Sequence, residues 1–259
     1  MMFSILTCAD TNYYPMALGL ARNVRLYPAC RLYLYDLGLK DAERDVLRGL
    51  GVTVERIPLG QGIFALNSKK NIRATHKMDC INHFLRKYGT GVLVLDADAL
   101  LIEDVAEEIF PAEKDIVVTC RCDREKKPHI LVNGKINTGV MAFGPGVGPA
   151  FFETWKSLCA DGEHTDQSAL SALLGEHVDL EKIGSRQPYG DYAVRVLDGN
   201  IYNDVTCRIG KIFHFKNAGR QFNKRLGFAA FTVAQRLFPG AMASVVRWNR
   251  NTRCFIWKG

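Results

Sequence analysis

Residues 92–105 read VLVLDADALLIEDV, four aliphatic residues running straight into two aspartates separated by one alanine. Val92, Leu93, Val94 and Leu95 show no polar alternation. They therefore read as a strand buried on both faces, as in the middle of a parallel sheet covered by helices. In open α/β sheets the ligand crevice lies beyond the carboxyl ends of the strands. Asp96 and Asp98 thus emerge where a ligand would sit. Two carboxylates this close repel each other unless a cation lies between them or one keeps a proton. A divalent metal answers that need, and hard oxygen ligands suit magnesium or manganese.

The flanking sequence supports the same layering. Met2 to Cys8 reads as a first strand, and Met16, Ala17, Leu20, Ala21 and Val24 follow at helical spacing. RLYLYD (31–36) alternates as a strand. Ala42, Val46, Leu47 and Leu50 mark a helix closed by Gly51, and VTVERI (52–57) forms a third strand. Residues 71–88 read as a helix with Ile72, Met78, Ile81 and Leu85 on one face. This alternation predicts an α/β fold with a mostly parallel, Rossmann-like sheet and flanking helices. Past the aspartates come a short helix (104–109), strand 115–120, a polar loop (121–131), strand 136–143 and helices at 149–160 and 165–175. Strand-like pieces follow near 178–183, 193–197 and 209–215.

At this point the sequence resembles the GT-A glycosyltransferases, most closely their family 8 type, which use nucleotide-diphospho-sugars. LDADALLIEDV resembles their D-x-D region, and further stretches agree in the expected order. TCADTNYY (7–14) resembles the first strand and turn that hold the nucleotide base, which implies contacts from Thr7, Ala9 and Asp10. NIRATHKMDCI (71–81) resembles the helix that carries basic residues toward the phosphates and sugar. INTGVMAF (136–143) is similar to the strand whose asparagine borders the donor sugar. TDQSALS (165–171) resembles the helix start near the reacting carbon, and KIFHFKNAG (211–219) the late segment whose histidine completes the metal site. The resemblance covers about residues 2–220.

It implies a metal-dependent hexosyltransferase whose donor is a nucleotide sugar, by preference a UDP-sugar, and whose acceptor is a glycan or lipid-linked glycan. The implied metal site for Mn2+ (or Mg2+) is Asp98 and His214 with Asp96, which also has the ribose or the metal's water shell within its reach. Arg73, Lys77 and Lys216 are implied clamps on the diphosphate, with the backbone around Ala97 and Gly219 lining the donor. Asn137 offers donor and acceptor to sugar hydroxyls. Asp166 or Gln167 is implied beside the oxocarbenium-like centre. The late segment departs from the family text: HFKNAGRQFNKRLGF has an extra residue before Gly219 and no K-P-W, which leaves Lys216 and Lys224 both as phosphate lysines.

Each piece has a plain structural alternative: a solvated strand end, a core histidine, a turn asparagine, a helix-capping acid. Their shared order decides between the two. Haloacid-dehalogenase-like phosphatases also use D-x-D, but on a first strand, and Asp191 and Asp198 do not have the spacing of their later acidic motif. A non-catalytic nucleotide- or glycan-binding module is the remaining alternative.

Charge divides the chain. From Val205 onward there are 11 basic and no acidic residues, against 23 basic and 27 acidic before it. We read residues 1–220 as the catalytic domain and 221–259 as a basic amphipathic tail split by Pro239-Gly240. Its Phe222, Leu226, Phe228, Phe231, Val233, Leu237 and Phe238, mixed with Arg and Lys, suit contact with anionic lipid, where each basic residue contributes about 1 kcal/mol. Docking on the acidic body is the alternative. No nucleic-acid-binding motif accompanies the charge. No run of 18 apolar residues spans a membrane, MMFSILTCADTNYY lacks a basic n-region and cleavage site, and eight cysteines without C-x-x-C spacing read as reduced thiols. These features together predict a cytoplasmic protein, with peripheral contact on the inner membrane face through the tail.

Overall fold

A computed structural model describes residues 3–58, 76–160, 164–219 and 221–252. Its centre is an eight-stranded mixed sheet. In chain order the strands are β1 (Phe3–Ala9), β2 (Cys30–Asp36), β3 (Thr53–Glu55), β4 (Val92–Leu95), β6 (Asp115–Cys120), β7 (Ile136–Phe143), β8 (Arg186–Tyr189) and β9 (Tyr192–Leu197). Their order across the sheet is β3-β2-β1-β4-β7-β6-β9-β8. The four strands from β3 to β4 run parallel, β7 runs antiparallel to both β4 and β6, and β9 is parallel to β6. Two further strands, β5 (Ala99–Leu101) and β10 (Ile212–His214), form a separate antiparallel ribbon.

The run at 92–95 behaves as its sequence requires. Leu93 and Leu95 join the apolar cluster on one side of the sheet, Val92 and Val94 the cluster on the other, and all four are at most 1% exposed. Successive strand side chains point to opposite faces, so an unbroken aliphatic run can only be satisfied in a sheet covered twice. On one side lie α1 (Tyr14–Val24) and the β5–β10 ribbon; on the other lie α3 (Lys77–Tyr88) and α7 (Asp166–Gly175), with α6 (Pro149–Ala160). Helix α2 (Asp41–Gly49) connects β2 to β3, and three single turns, α4 (Ala106–Ile109), α5 (Pro128–Leu131) and α8 (Gly199–Tyr202), lie in the later connections.

Several boundaries differ from the sequence reading. Residues 178–183 make only an isolated bridge, Ile183 to Val196, while Arg186–Tyr189 forms the strand. Pro188 hides that strand from a pattern search, because proline is tolerated only where no ladder donor is needed, as on this edge. The polar loop 121–131 contains a 3-10 turn, Asp123–Glu125, and α5. Helix α3 is described from Lys77; residues 71–75 lie outside the described residues.

As far as Thr252 the tail is helical and docked. Helices α9 (Phe222–Leu237) and α10 (Pro239–Thr252) follow the ribbon. Phe228 inserts against Gly19 of α1, where an added Cβ would lie 2.9 Å from the ring's Cζ. Asn23 donates from Nδ2 to Gln235 Oε1 (2.9 Å) and Leu101 O (2.8 Å), and Arg250 Nη2 donates to Glu103 (2.7 Å). The outward side keeps Phe222, Leu226, Val233, Leu237, Phe238 and Trp248 exposed. Among the described residues no helix is long and apolar enough to cross a membrane.

Candidate active site

Strand β4 ends at Leu95, and its pairing with β7 extends one residue further, Asp96 N–H donating to Gly139 O at 2.9 Å. The chain then turns sharply, closed by the Ala99 N–H donating to Asp96 O (2.9 Å). This turn holds Asp96 and Asp98 on either side of Ala97, which is buried in the core. Strand β5 pairs with β10 so that Ala99 stands opposite His214. Phe215 N–H donates to Asp98 O (2.9 Å) and Ala218 N–H to Asp98 Oδ2 (3.2 Å). The ribbon therefore delivers a histidine from more than a hundred residues later to the second aspartate.

His214 Nε2 lies 3.3 Å from Asp98 Oδ1 and 3.6 Å from Asp96 Oδ2, and one ligand atom from each of the three residues lies within 4.8 Å of the others. Gly139 permits this approach, since any Cβ there would collide with the His214 ring. The tautomer is set from behind. Asn203 donates from Nδ2 to Thr119 Oγ1 (2.8 Å) and Asn137 O (3.2 Å), which fixes its Oδ1 as the acceptor of His214 Nδ1–H at 2.8 Å. Nε2 is thereby aimed at the carboxylates, the arrangement that orients a metal-binding histidine. Burial alone would lower the His214 pKa, but Asp98 and Asp96 outweigh it and raise it. An imidazole nitrogen with carboxylate oxygens 3.3 and 3.6 Å away suits the edge of a Mn2+ or Mg2+ coordination shell. Replacing Asn203 with Ala should weaken manganese binding about 10–100-fold while leaving all three ligands in place, measurable by metal titration.

Lys77 lies against the D-x-D turn. It is buried, and its ammonium donates to Asp96 Oδ1 (2.6 Å) and Thr138 O (3.1 Å), with Asp166 Oδ2 at 3.9 Å. It thus joins the D-x-D turn to the start of α7. Burial opposes charge on both partners, yet their attraction holds Asp96 below the usual carboxylate range and pushes Lys77 up. Asp166 also accepts from Thr138 Oγ1 (2.7 Å). It follows Thr165, which caps α7 through a reciprocal pair with Ser168, so the carboxylate is steered inward at a helix N-terminus.

Asn137 spends half its hydrogen-bonding capacity within the protein: Oδ1 accepts Gly139 N–H (3.0 Å) and Nδ2 donates to Glu125 Oε2 (2.9 Å). One N–H and one lone pair have no partner among the described residues. Lys216 Nζ reaches Glu125 Oε1 at 2.5 Å, whereas exposed Lys224 donates to Lys216 O at 2.8 Å. Thr7 Oγ1 and Gln167 Oε1 are buried with no hydrogen-bond partner among the described residues. Buried unsatisfied groups of this kind call for a ligand or water. Asp10 accepts the N–H groups of Asn12 (3.0 Å) and Tyr13 (3.2 Å), forming the turn after β1. Ala9 is buried, and Gly219 lies against Tyr13, where a Cβ would approach the ring to 2.6 Å. Arg73 lies outside the described residues. Sequence reasoning missed Asn203, Thr138 and Glu125; only Thr138 sat in a motif, and nothing in one sequence marks the other two.

Residues 57–224 match the family described as nucleotide-diphospho-sugar transferase. Among solved structures the chain is similar to a galactosyltransferase, LgtC, determined with donor and acceptor sugar analogs. That likeness is 17% identical, covers 77% of this chain and 74% of that one, and has a TM-score of 0.53. It is also similar to the glycosyltransferase GlyE of Streptococcus pneumoniae TIGR4, at 14% identity over 91% of this chain and 51% of that one, TM-score 0.50. The sheet and its flanking helices are thus of the GT-A type. No curated protein sequence matches.

Proposed function

The chain belongs to the nucleotide-diphospho-sugar transferase family, and on that premise we propose that it moves a hexose from a UDP-sugar to a glycan or lipid-linked acceptor, using Mn2+ or Mg2+. The observation that carries this reading is the convergence of Asp96, Asp98 and His214 at the carboxyl end of β4. A bound divalent cation neutralises the charge that builds on a departing diphosphate. The rest falls to the chain itself. Lys77 keeps Asp96 ionised and ties it to Asp166. Asp166 and Gln167, at the start of α7, face the reacting carbon, where negative charge and an unpaired amide oxygen favour an oxocarbenium-like centre. The free N–H of Asn137 meets a sugar hydroxyl. Thr7, with the backbone around Ala9 and the turn made by Asp10, receives the base. Lys216 meets the diphosphate, and Gly219 brings the late loop against Tyr13 beside it.

The division into a catalytic domain and a basic tail belongs to the same proposal. The exposed apolar residues of α9 and α10 stand among Lys224, Arg225, Arg236 and Arg247. That surface suits peripheral contact with an anionic cytoplasmic leaflet, near a lipid-linked acceptor. The activity is tested by incubating the protein with UDP-glucose and UDP-galactose and measuring UDP release. Release should require Mn2+ or Mg2+ and fall to background with EDTA. Release that persists unchanged in EDTA would contradict the metal-dependent reading.

A further inference from the structure

The loop between β6 and β7 holds a carboxylate that the donor reading does not use. Glu125 is 4% exposed and ends the 3-10 turn after Cys122. Its Oε1 accepts from Lys216 Nζ (2.5 Å) and Arg121 Nη1 (3.2 Å), and its Oε2 accepts from Asn137 Nδ2 (2.9 Å). Burial works against its charge, but Lys216, Asn137 and Arg121 hold its carboxyl below the usual range. Arg121 is anchored independently, donating from Nε to Gly134 O (2.5 Å) and from Nη2 to Asn133 O (3.1 Å).

A carboxylate buried this deeply is costly unless its partners are fixed in return. Here two of its three partners are groups assigned to different halves of the donor. Lys216 follows β10 and lies near enough to Asp96 and His214 for its charge to act on both. Asn137 lies on β7, with its Oδ1 already bound to Gly139 N–H. The Lys216 side chain is 28% exposed. An ammonium has three donors, so it can keep Glu125 and still offer two to an anion.

We propose that Glu125 is a positioning residue for the donor: one buried carboxylate sets the Lys216 ammonium against the diphosphate and the Asn137 amide against the sugar. The proposal rests on the nucleotide-sugar reading and assigns that site a member no motif marks. Long lysine stems lose much rotamer freedom when they bind. Holding the ammonium in advance reduces that loss, so the effect falls on ligands that carry a β-phosphate.

The test titrates UDP, UDP-glucose and UMP, each with manganese, into the parent, Glu125→Gln, Lys216→Met and the double variant, with melting temperatures recorded alongside. Glu125→Gln keeps the shape and an acceptor for Asn137 but removes the charge. We expect it to weaken UDP about tenfold, to weaken UDP-glucose by more, and to leave UMP unchanged. The double variant should bind UDP no worse than Lys216→Met alone, because both changes remove one interaction. Unchanged UDP affinity in Glu125→Gln would overturn the proposal. So would an equal loss of UDP and UMP, which marks a structural residue, or losses that multiply in the double variant. A parent that binds neither UDP nor UDP-glucose with manganese would instead sink the donor reading, and this proposal with it.

Discussion

Asp98→Asn is expected to lower kcat/KM for donor turnover at least about 100-fold, in line with the loss of a group that holds transition-state charge. The size of the effect follows from where Asp98 sits. Its side chain is 4% exposed, its Oδ1 faces His214 Nε2 at 3.3 Å, and its backbone carbonyl and Oδ2 are held by Phe215 and Ala218 N–H groups. Asparagine keeps the volume and one acceptor, so the turn at 96–99 and the β5–β10 ribbon have no reason to move. What is lost is the negative charge that a divalent cation needs. The variant should therefore melt near the parent temperature without metal yet gain little from added manganese. Kinetics across a manganese series, with melting curves on the same samples, check both halves. A variant that turned over normally at saturating manganese would leave Asp98 outside the metal site.

Lys77→Met should cost the apo protein about 3 kcal/mol, because breaking a buried ion pair leaves an uncompensated charge behind. Lys77 is buried between Asp96 and Asp166, and among the described residues only the Thr138 Oγ1 side chain would still serve the Asp166 carboxylate directly. For a chain of this size that corresponds to a fall of about 6–12 °C in melting temperature. Manganese should return part of the loss, since a cation beside Asp96 replaces the missing charge. Thermal melts with and without manganese read this out. A variant as stable as the parent would mean that the two aspartates do not depend on Lys77. A loss that manganese does not touch would mean that Asp96 is remote from any metal.

How much of this was legible in the sequence depends on range. The aliphatic run before Asp96, the helical spacing of Met16 to Val24 and the Thr165 cap are local, and local periodicity carries them. The order of the motifs extended that reading to His214, whose approach to Asp98 depends on a two-strand ribbon too short to announce itself. Asn203 and Glu125 were invisible because their significance lies wholly in whom they touch: Asn203 reaches His214, while Glu125 joins Lys216 to Asn137. Lys77 was found as an inward-facing basic residue, but its contacts with Asp96 and Thr138 were not legible, since spacing on a helix says which side faces inward and not which carboxylate waits there. The tail showed the limits of composition. Its basic, apolar text fits both a docked helix pair and a lipid-facing surface, and the buried contacts of Phe228 and Gln235, with the Arg250–Glu103 ion pair, establish the docking.

The central claim is a nucleotide-sugar site built on a divalent cation, and thermal stability tests it most directly. The parent would be melted with UDP, GDP and UDP-sugars, each with and without manganese, with vanadate as a phosphate analogue for comparison. The account predicts an upward shift that needs nucleotide and manganese together, largest for uridine compounds. Stabilisation by vanadate with no response to any nucleotide would contradict it and point to phosphoester chemistry at the same aspartates.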